Sequence, residues 1–255
     1  MSEAQEDAVL VERRGRVMII TLNRPEAMNA INGALSHGLM NAINTLDEDE
    51  TLTAGVITGA GRGFCAGMDL KAFARGEDIG PLGTFVRQGS QKPLIGAIEG
   101  FALAGGCEIA LTCDLLVGSK SAKIGIREVK VGLFAAAGGV FRLPNRVGFA
   151  KAMEMALTGE PITGQEALDV GMLSELTEEG GALDAAVALA ERIAANAPLA
   201  VAASKTLVRA ASQGLDEDSL WEMQVPLQQK VFSSNDAKEG PVAFAEKREP
   251  NWTGT

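Results

Sequence analysis

The sequence predicts an α/β fold whose C-terminal part is helical. Three observations predict it. Short apolar runs with strand character alternate with helical runs up to about residue 125. Those strands often arrive in pairs, with glycines between them. From about residue 149 the pattern turns to helix. The chain has 255 residues, 46% hydrophobic and 22% charged, enough to bury one large core.

The elements follow in order. Val9–Arg13, Gly15 and Val17–Leu22 read as a hairpin. Within 29–46, Ile31, Leu35, Leu39, Ile43 and Leu46 recur at helical spacing and give an amphipathic helix. Residues 54–58 form a short buried strand that ends in Gly59, Gly61 and Gly63. Segment 72–92 contains several glycines and reads as a mobile loop or short helix. Pro93 opens a strand over 94–98. Gly100–Gly106 reads as a small-residue turn, 107–112 as a helix, and 115–118 and 122–124 as strands.

Residues 152–158 and 164–170 are short helices, and 182–195 is a longer one with Leu183, Val187, Ala190 and Ile193 on one face. Asn196 is placed to cap the next helix, with Pro198 in its first turn and Gly214 as its stop. Asp216 starts another, bent or ended by Pro226. Asn235 or Asp236 caps a last one that runs to Lys247 and Arg248.

Charge and composition remove several classes of function. With 23 Lys and Arg against 33 Asp and Glu, the net charge is −10. Nucleic acids and anionic membrane surfaces attract a positive footprint, so neither is expected as a partner. Three cysteines at irregular spacing (Cys65, Cys107, Cys113) and a single histidine suggest neither a disulfide framework nor a zinc site; a reducing cytoplasm is expected. The start of the chain carries Glu3, Glu6, Asp7, Glu12, Arg13 and Arg14, which do not make a signal peptide. No apolar run reaches the 18 residues of a membrane span.

Several motifs fail. Gly59, Gly61 and Gly63 follow a strand, but a GxGxxG match from Gly59 falls on Phe64. The chain has no tyrosine, which short-chain dehydrogenases need, and no Walker loop or GxSxG elbow. His37, the sole histidine, sits midway along a helix and reads as a partly exposed surface residue, not a triad member.

Two segments survive. Phe64-Cys65-Ala66-Gly67-Met68-Asp69-Leu70-Lys71 and the run from Gly100 to Glu108 each let backbone N–H groups turn toward a ligand. In the second, glycines sit where a helix begins, and its free N–H groups favour developing negative charge. Read alone, both are equally ordinary glycine turns. Glu108 lies just inside that helix start, and Glu128 lies twenty residues on. Two carboxyls at one site can divide acid and base roles. The alternative is a favourable first-turn acid and a solvated loop residue. With one histidine and no tyrosine, proton transfer must use carboxylates, lysines or cysteines.

Together these residues resemble a family. The Asn23–Ala30 run NRPEAMNA, FCAGMDLK, the AGGCEIALTCD run ending at Asp114, Glu128 with Gly132 and 136–139 after it, and the Glu239–Arg248 segment look like the crotonase superfamily, and within it like enoyl-CoA hydratase. The likeness runs from about residue 9 to 252. It implies a spiral of β-β-α turns over 1–195 and a helical oligomerisation region over 196–255, assembling as a homotrimer or as a hexamer of two trimers. It implies backbone N–H groups of Met68 and Gly105 as an oxyanion hole, with Glu108 and Glu128 as catalytic carboxylates. Arg24, Ala66, Met68, Asp69, Leu70, Lys71, Gly105, Phe244 and Lys247 would line the acyl-CoA site, Lys247 from a neighbouring subunit. No metal or other cofactor is implied, coenzyme A being part of the substrate.

The implied reaction is reversible addition of water to a 2-enoyl-CoA, in cytoplasmic fatty acid β-oxidation. Related reactions of the superfamily are the alternatives: double-bond isomerisation, or dehydration of a carnitinyl-CoA type of substrate. Retention of both glutamates favours hydration over isomerisation. It also speaks against a non-catalytic binding protein. The chain departs from the family pattern at Glu26, where a basic residue is frequent, at Arg127, where a proline is common, and in the Leu133–Ala136 run, which lacks the usual proline.

Overall fold

The computed structural model describes residues 7–255; Glu3 and Glu6, used in reading the N-terminus, lie outside the described residues. The strands are β1 (Val9–Arg14), β2 (Val17–Leu22), β3 (Ala54–Gly59), β4 (Leu94–Ile98), β5 (Phe101–Leu103), β6 (Leu115–Ser119), β7 (Lys123–Gly125), β8 (Ile162–Thr163) and β9 (Glu175–Thr177). In the first half the helices are α1 (Gly33–Glu48), α2 (Leu70–Ala74), α3 (Gly80–Gln88) and α4 (Gly105–Thr112). The short helices α5 (Gly139–Arg142) and α6 (Pro144–Val147) lead into α7 (Phe149–Thr158) and α8 (Gly164–Asp169). Four longer ones close the chain: α9 (Ala182–Ala194), α10 (Pro198–Ser212), α11 (Glu217–Phe232) and α12 (Asn235–Glu246).

Six strands form one sheet in the order β1-β2-β3-β4-β6-β9, and β5-β7-β8 form a second. After the antiparallel β1–β2 hairpin the large sheet is parallel throughout. Both its faces are covered. In β2, Val17 and Ile19 point to one core, and Met18, Ile20 and Leu22 to the other. That explains a continuous apolar run in place of alternation. The first face takes Ala182, Ala186, Val187 and Ala190 of α9. The second takes α1, whose Leu35, Leu39, Ile43 and Leu46 are fully buried. At about 1.5–3 kcal/mol per buried side chain, this stripe holds α1 more firmly than helix propensity would.

The chain spirals. From β4 it crosses to β5 and returns through α4; from β6 it crosses to β7. Two isolated parallel bridges extend the small sheet: Cys65 beside Ala102, and Met68 beside Ile31. The segments that follow β2 and β3 therefore stack as further rungs beside β5 and β7.

Several expected boundaries are corrected. For segment 72–92 the short-helix reading holds and the mobile loop does not: it forms the end of α2 and the whole of α3, which buries Leu82, Phe85 and Val86. The Gly100–Gly106 turn contains β5 and the start of α4. Asn196 does not cap α10: its amide bonds back to the carbonyls of Arg192 and Ile193, and Ala197 holds the cap position. Ser234 caps α12 by accepting from Ala237 N–H. Pro226 lies inside α11 without ending it.

No side chain of α10 or α11 is buried. Polar contacts tie α10 to the core. Lys205 Nζ lies 2.7 Å from Asp114 Oδ2 and donates to the carbonyls of Ser90 and Lys92. Asp114 in turn accepts from Leu94 N–H at the head of β4.

Candidate active site

Close backbone packing builds the site. Segment 63–68 runs beside segment 99–106: Phe64 N–H donates to the Glu99 carbonyl, Cys65 N–H to that of Phe101, and Leu103 N–H to that of Cys65. A Cβ on Gly106 would lie 2.3 Å from the Cys65 carbonyl oxygen, so only glycine allows this approach. The glycine cluster before it packs equally tightly. A Cβ on Gly63 would strike the Phe101 ring at 2.5 Å, which leaves no phosphate cradle there.

Several N–H groups are left over here. Met68 and Gly105 N–H have no hydrogen-bond acceptor among the described residues, nor has Gly106 N–H in the first turn of α4. Other neighbours are engaged: Asp69 N–H on Ile31, Ala66 N–H on Met28, Ala104 N–H on the Gly125 carbonyl. A Cβ on Gly105 would sit 3.8 Å from Met68 N, and one on Gly67 would sit 3.3 Å from Gly105 N, so the two free donors are neighbours. Gly105 opens α4, where the helix dipole adds to the donor. Ala104 before it has φ 50° and ψ −126°, a conformation that costs an alanine about 1–3 kcal/mol and turns the Gly105 N–H out of the ladder.

Both glutamates arrive at the same end of the small sheet. Strands β5 and β7 pair in parallel, Leu103 opposite Gly125. The first leads into α4 and Glu108, and the second into the 3-10 turn Glu128–Val131. Glu108 is 4% exposed. Its Oε1 accepts from Ala137 N–H at 2.7 Å and Gly139 N–H at 3.0 Å. Burial raises its pKa. The Gly139 N–H opposes that rise, the Glu128 charge adds to it, and the Ala137 N–H and the Arg142 cation oppose it. Glu128 also has a raised pKa, mainly from burial; its own and the Arg127 backbone N–H oppose the rise. Its Oε2 is buried with no hydrogen-bond partner among the described residues. The cysteines are free and buried. Burial pushes the Cys65 thiol up to about 12 and the Cys107 thiol higher still, so both stay protonated and leave proton transfer to the carboxylates.

The other expected residues divide into four groups. Ala66, Met68 and Gly105 line the donor pair. Arg24 and Asp69 are joined to each other: the guanidinium lies 3.1 Å from Asp69 Oδ2 and also bonds the Ala30 carbonyl. Asp69 Oδ1 caps α2 through Lys71 and Ala72 N–H. Leu70 and Lys71 are exposed on α2. Phe244 is 87% exposed on α12, and Lys247 follows it in a left-handed turn. His37 is exposed and faces Asp78.

Sequence reasoning missed Asn29, Ala137, Gly139 and Arg142 as individual site-builders. Asn29 is buried in the left-handed region; it accepts from Arg24 N–H and donates to the Ala60 and Gly63 carbonyls. A polar residue beside Ile31 in an otherwise apolar helical register was the available signal. Ala137 and Gly139 act through backbone N–H, which leaves only the glycine as a trace.

A spiral of this order, with free N–H groups at the start of the helix that carries a buried Glu108 and with Glu128 at the same end of the small sheet, defines an enzyme of the crotonase fold. The family model for enoyl-CoA hydratase/isomerase matches residues 12–255. The chain is 40% identical to enoyl-CoA hydratase EchA19 of Mycobacterium tuberculosis over 98% of this chain and 97% of that one. It is 41% identical to the carnitinyl-CoA dehydratase of Proteus mirabilis over 94% and 96%. A crystal structure of an enoyl-CoA hydratase from M. tuberculosis superposes with a TM-score of 0.94 at 51% identity, covering 98% of this chain and 100% of that one. The chain belongs to the enoyl-CoA hydratase/isomerase family. Hydratase and dehydratase are both hydro-lyase activities, and the enzyme is a hydro-lyase by class.

Proposed function

We propose that the protein adds water reversibly to the double bond of a 2-enoyl-CoA and yields a 3-hydroxyacyl-CoA. The observation that carries this reading is the adjacent, unaccepted N–H pair of Met68 and Gly105 on the segments that lead to α4, together with Glu108 and Glu128, whose charges act on each other. A thioester carbonyl conjugated to a double bond takes a nucleophile at C3 once charge on its oxygen is stabilised. One such donor contributes about 3–4 kcal/mol in a transition state.

The surroundings of the glutamates assign their roles. Glu108 has two N–H donors and a cation that favour its charged form. Glu128 Oε2 has no partner and favours the protonated form. Glu108 therefore takes a proton from water as its oxygen bonds to C3. Glu128 gives its proton to C2 as the enolate collapses. Donors and acids are supplied by the chain, and the reading needs no metal or other cofactor beyond the coenzyme A of the substrate.

Ala66, Asp69, Leu70 and Lys71 would lie along the thioester and adenine, with Arg24 supporting them through Asp69. Phe244 and Lys247 would reach a neighbouring subunit's site. The unburied α10 and α11, with Val208, Trp221 and Phe232 exposed, suit residues 196–255 as the face that assembles a trimer or hexamer. Among the described residues no single helix is long and apolar enough to cross a membrane. The reading extends to β-oxidation in the cytoplasm, and three buried free thiols suit a reducing compartment.

Loss of the conjugated thioester absorbance of crotonyl-CoA on adding the protein tests the reading, followed by longer and branched enoyl-CoAs. Turnover supports hydration. Coenzyme A binding without turnover of any enoyl-CoA would move the reading to double-bond isomerisation, or to the dehydration of a carnitinyl-CoA type of substrate that the Proteus relative favours.

A further inference from the structure

Arg142 lies close enough to Glu108 for its charge to act on the carboxyl. Its side chain joins three elements of the site. One nitrogen donates to Thr112 Oγ1 at 3.0 Å, at the far end of α4. Thr112 Oγ1 itself donates to the Glu108 carbonyl at 2.8 Å. A second nitrogen donates to the Val86 carbonyl on α3. The Arg142 backbone N–H donates to the Gly138 carbonyl at 3.0 Å. Gly138 lies between the two residues, Ala137 and Gly139, whose N–H groups hold Glu108 Oε1. The guanidinium also lies against Gly138, where an added Cβ would come within 3.2 Å of it.

We propose that Arg142 is a positioning residue for Glu108: it clamps the 137–139 loop and α4 together and keeps a fixed cation close to the carboxylate. The role rests on the reading of Glu108 as the base. A buried carboxylate needs help to stay charged. Two N–H donors and the Arg142 cation act against the burial that raises its pKa. The charged groups facing Glu108 are Glu128, which opposes ionisation, and Arg142, which favours it. Those facing Arg142 are Glu108, Arg146 and Arg209. Burial and the charges of Arg209 and Arg146 disfavour the Arg142 cation and Glu108 favours it, while two side-chain hydrogen bonds hold the guanidinium in place. A residue present only to fill space would need neither a charge nor this geometry.

The test is the titration of Glu108 in the free, full-length enzyme. Carbon-13 NMR of labelled glutamate carboxyls reads it, with the signal assigned by its loss in Glu108→Gln. In Arg142→Gln the midpoint should rise by about one pH unit, and the acid limb of kcat/KM should move with it, about tenfold in activity below that limb. In Arg142→Lys the charge remains and the midpoint should stay near the wild-type value. A midpoint unchanged in a folded Arg142→Gln would overturn the proposal, as would an equal shift in the lysine variant. Should Arg142→Gln fail to fold, Arg142→Met keeps the apolar stem without the charge and must shift the midpoint in the same direction; an unmoved midpoint there also overturns it. The titration needs no substrate. If it shifts as expected while no enoyl-CoA is turned over, the reading of the reaction fails and the role of Arg142 stands.

Discussion

The α-carbon of Gly106 faces the carbonyl oxygen of Cys65 so closely that a Cβ there would lie 2.3 Å from it. This contact brings the start of α4 against the segment that carries Met68. Gly106→Ala must therefore push the two apart, because neither partner is a side chain that can swing away. Overpacking of this kind costs about 1–3 kcal/mol. We expect a lower melting temperature, and a fall in kcat larger than the fall in stability explains. Differential scanning calorimetry with steady-state kinetics reads both. A variant of normal kcat would show that the N–H pair does not depend on this approach.

Removing either carboxyl should slow the reaction strongly. Glu108→Gln and Glu128→Gln are each expected to lose about 10²–10⁴ in kcat. KM for crotonyl-CoA should change far less. If both variants kept near-normal turnover, the assignment of the two glutamates would be wrong.

Glu128→Gln carries a second expectation, in stability. The folded pKa of Glu128 is raised by burial. A carboxyl with a raised folded pKa binds its proton more tightly in the native state, so its contribution is favourable at low pH and is lost as pH rises through that folded value. The neutral amide has no such loss. Glu128→Gln should melt above the wild type at pH 7, and the gap should close as pH falls below the ordinary carboxylate range. A gap independent of pH would point to packing instead of charge.

Asp69 joins the Met68 segment to α2 and to Arg24. Asp69→Ala removes the cap and leaves a half-buried guanidinium unpaired. Loss of a cap costs about 0.5–2 kcal/mol. We expect KM and kcat both to worsen, because the same segment would line the substrate and supply a donor. Asp69→Asn keeps the capping oxygen and should recover most of the stability, as thermal melts would show.

Light scattering on the purified protein should give three or six times the chain mass. Phe232, 74% exposed on α11, is a candidate anchor for that assembly. Phe232→Asp should shift the mass toward the monomer. An unchanged mass would place the contact elsewhere.

Much of the fold was legible because its faces are. The stripe from Leu35 to Leu46 announces α1, and the unbroken run from Val17 to Leu22 announces a strand covered on both sides. Family motifs then supply the spiral, which local periodicity cannot, since parallel pairing joins residues far apart. The misreadings share a cause. Segment 72–92 is held by burial of Leu82, Phe85 and Val86 under α1, a tertiary effect that its glycines conceal. Asn196 and Asp236 are good capping types, but the first bonds backward and the second accepts from Thr253 and Gly254 instead. In the site, glutamates leave a mark in the sequence. The N–H donors that hold Glu108 belong to Ala137 and Gly139, and a main-chain group writes nothing into the residue code.

The two free N–H groups of Met68 and Gly105 belong to residues with different freedom to change. At 105 an added Cβ would lie 2.9 Å from the tip of the Ile31 side chain, which would have to move aside. The donor at 68 belongs to a residue that already has a side chain, half-buried and packed on the core. Its N–H survives every replacement except proline. Position 68 can thus change its side chain without losing this donor. Diversification at this one site would alter the packing of the segment while leaving the N–H group intact, so shape and hydrogen bonding can evolve as independent traits on neighbouring atoms of one residue.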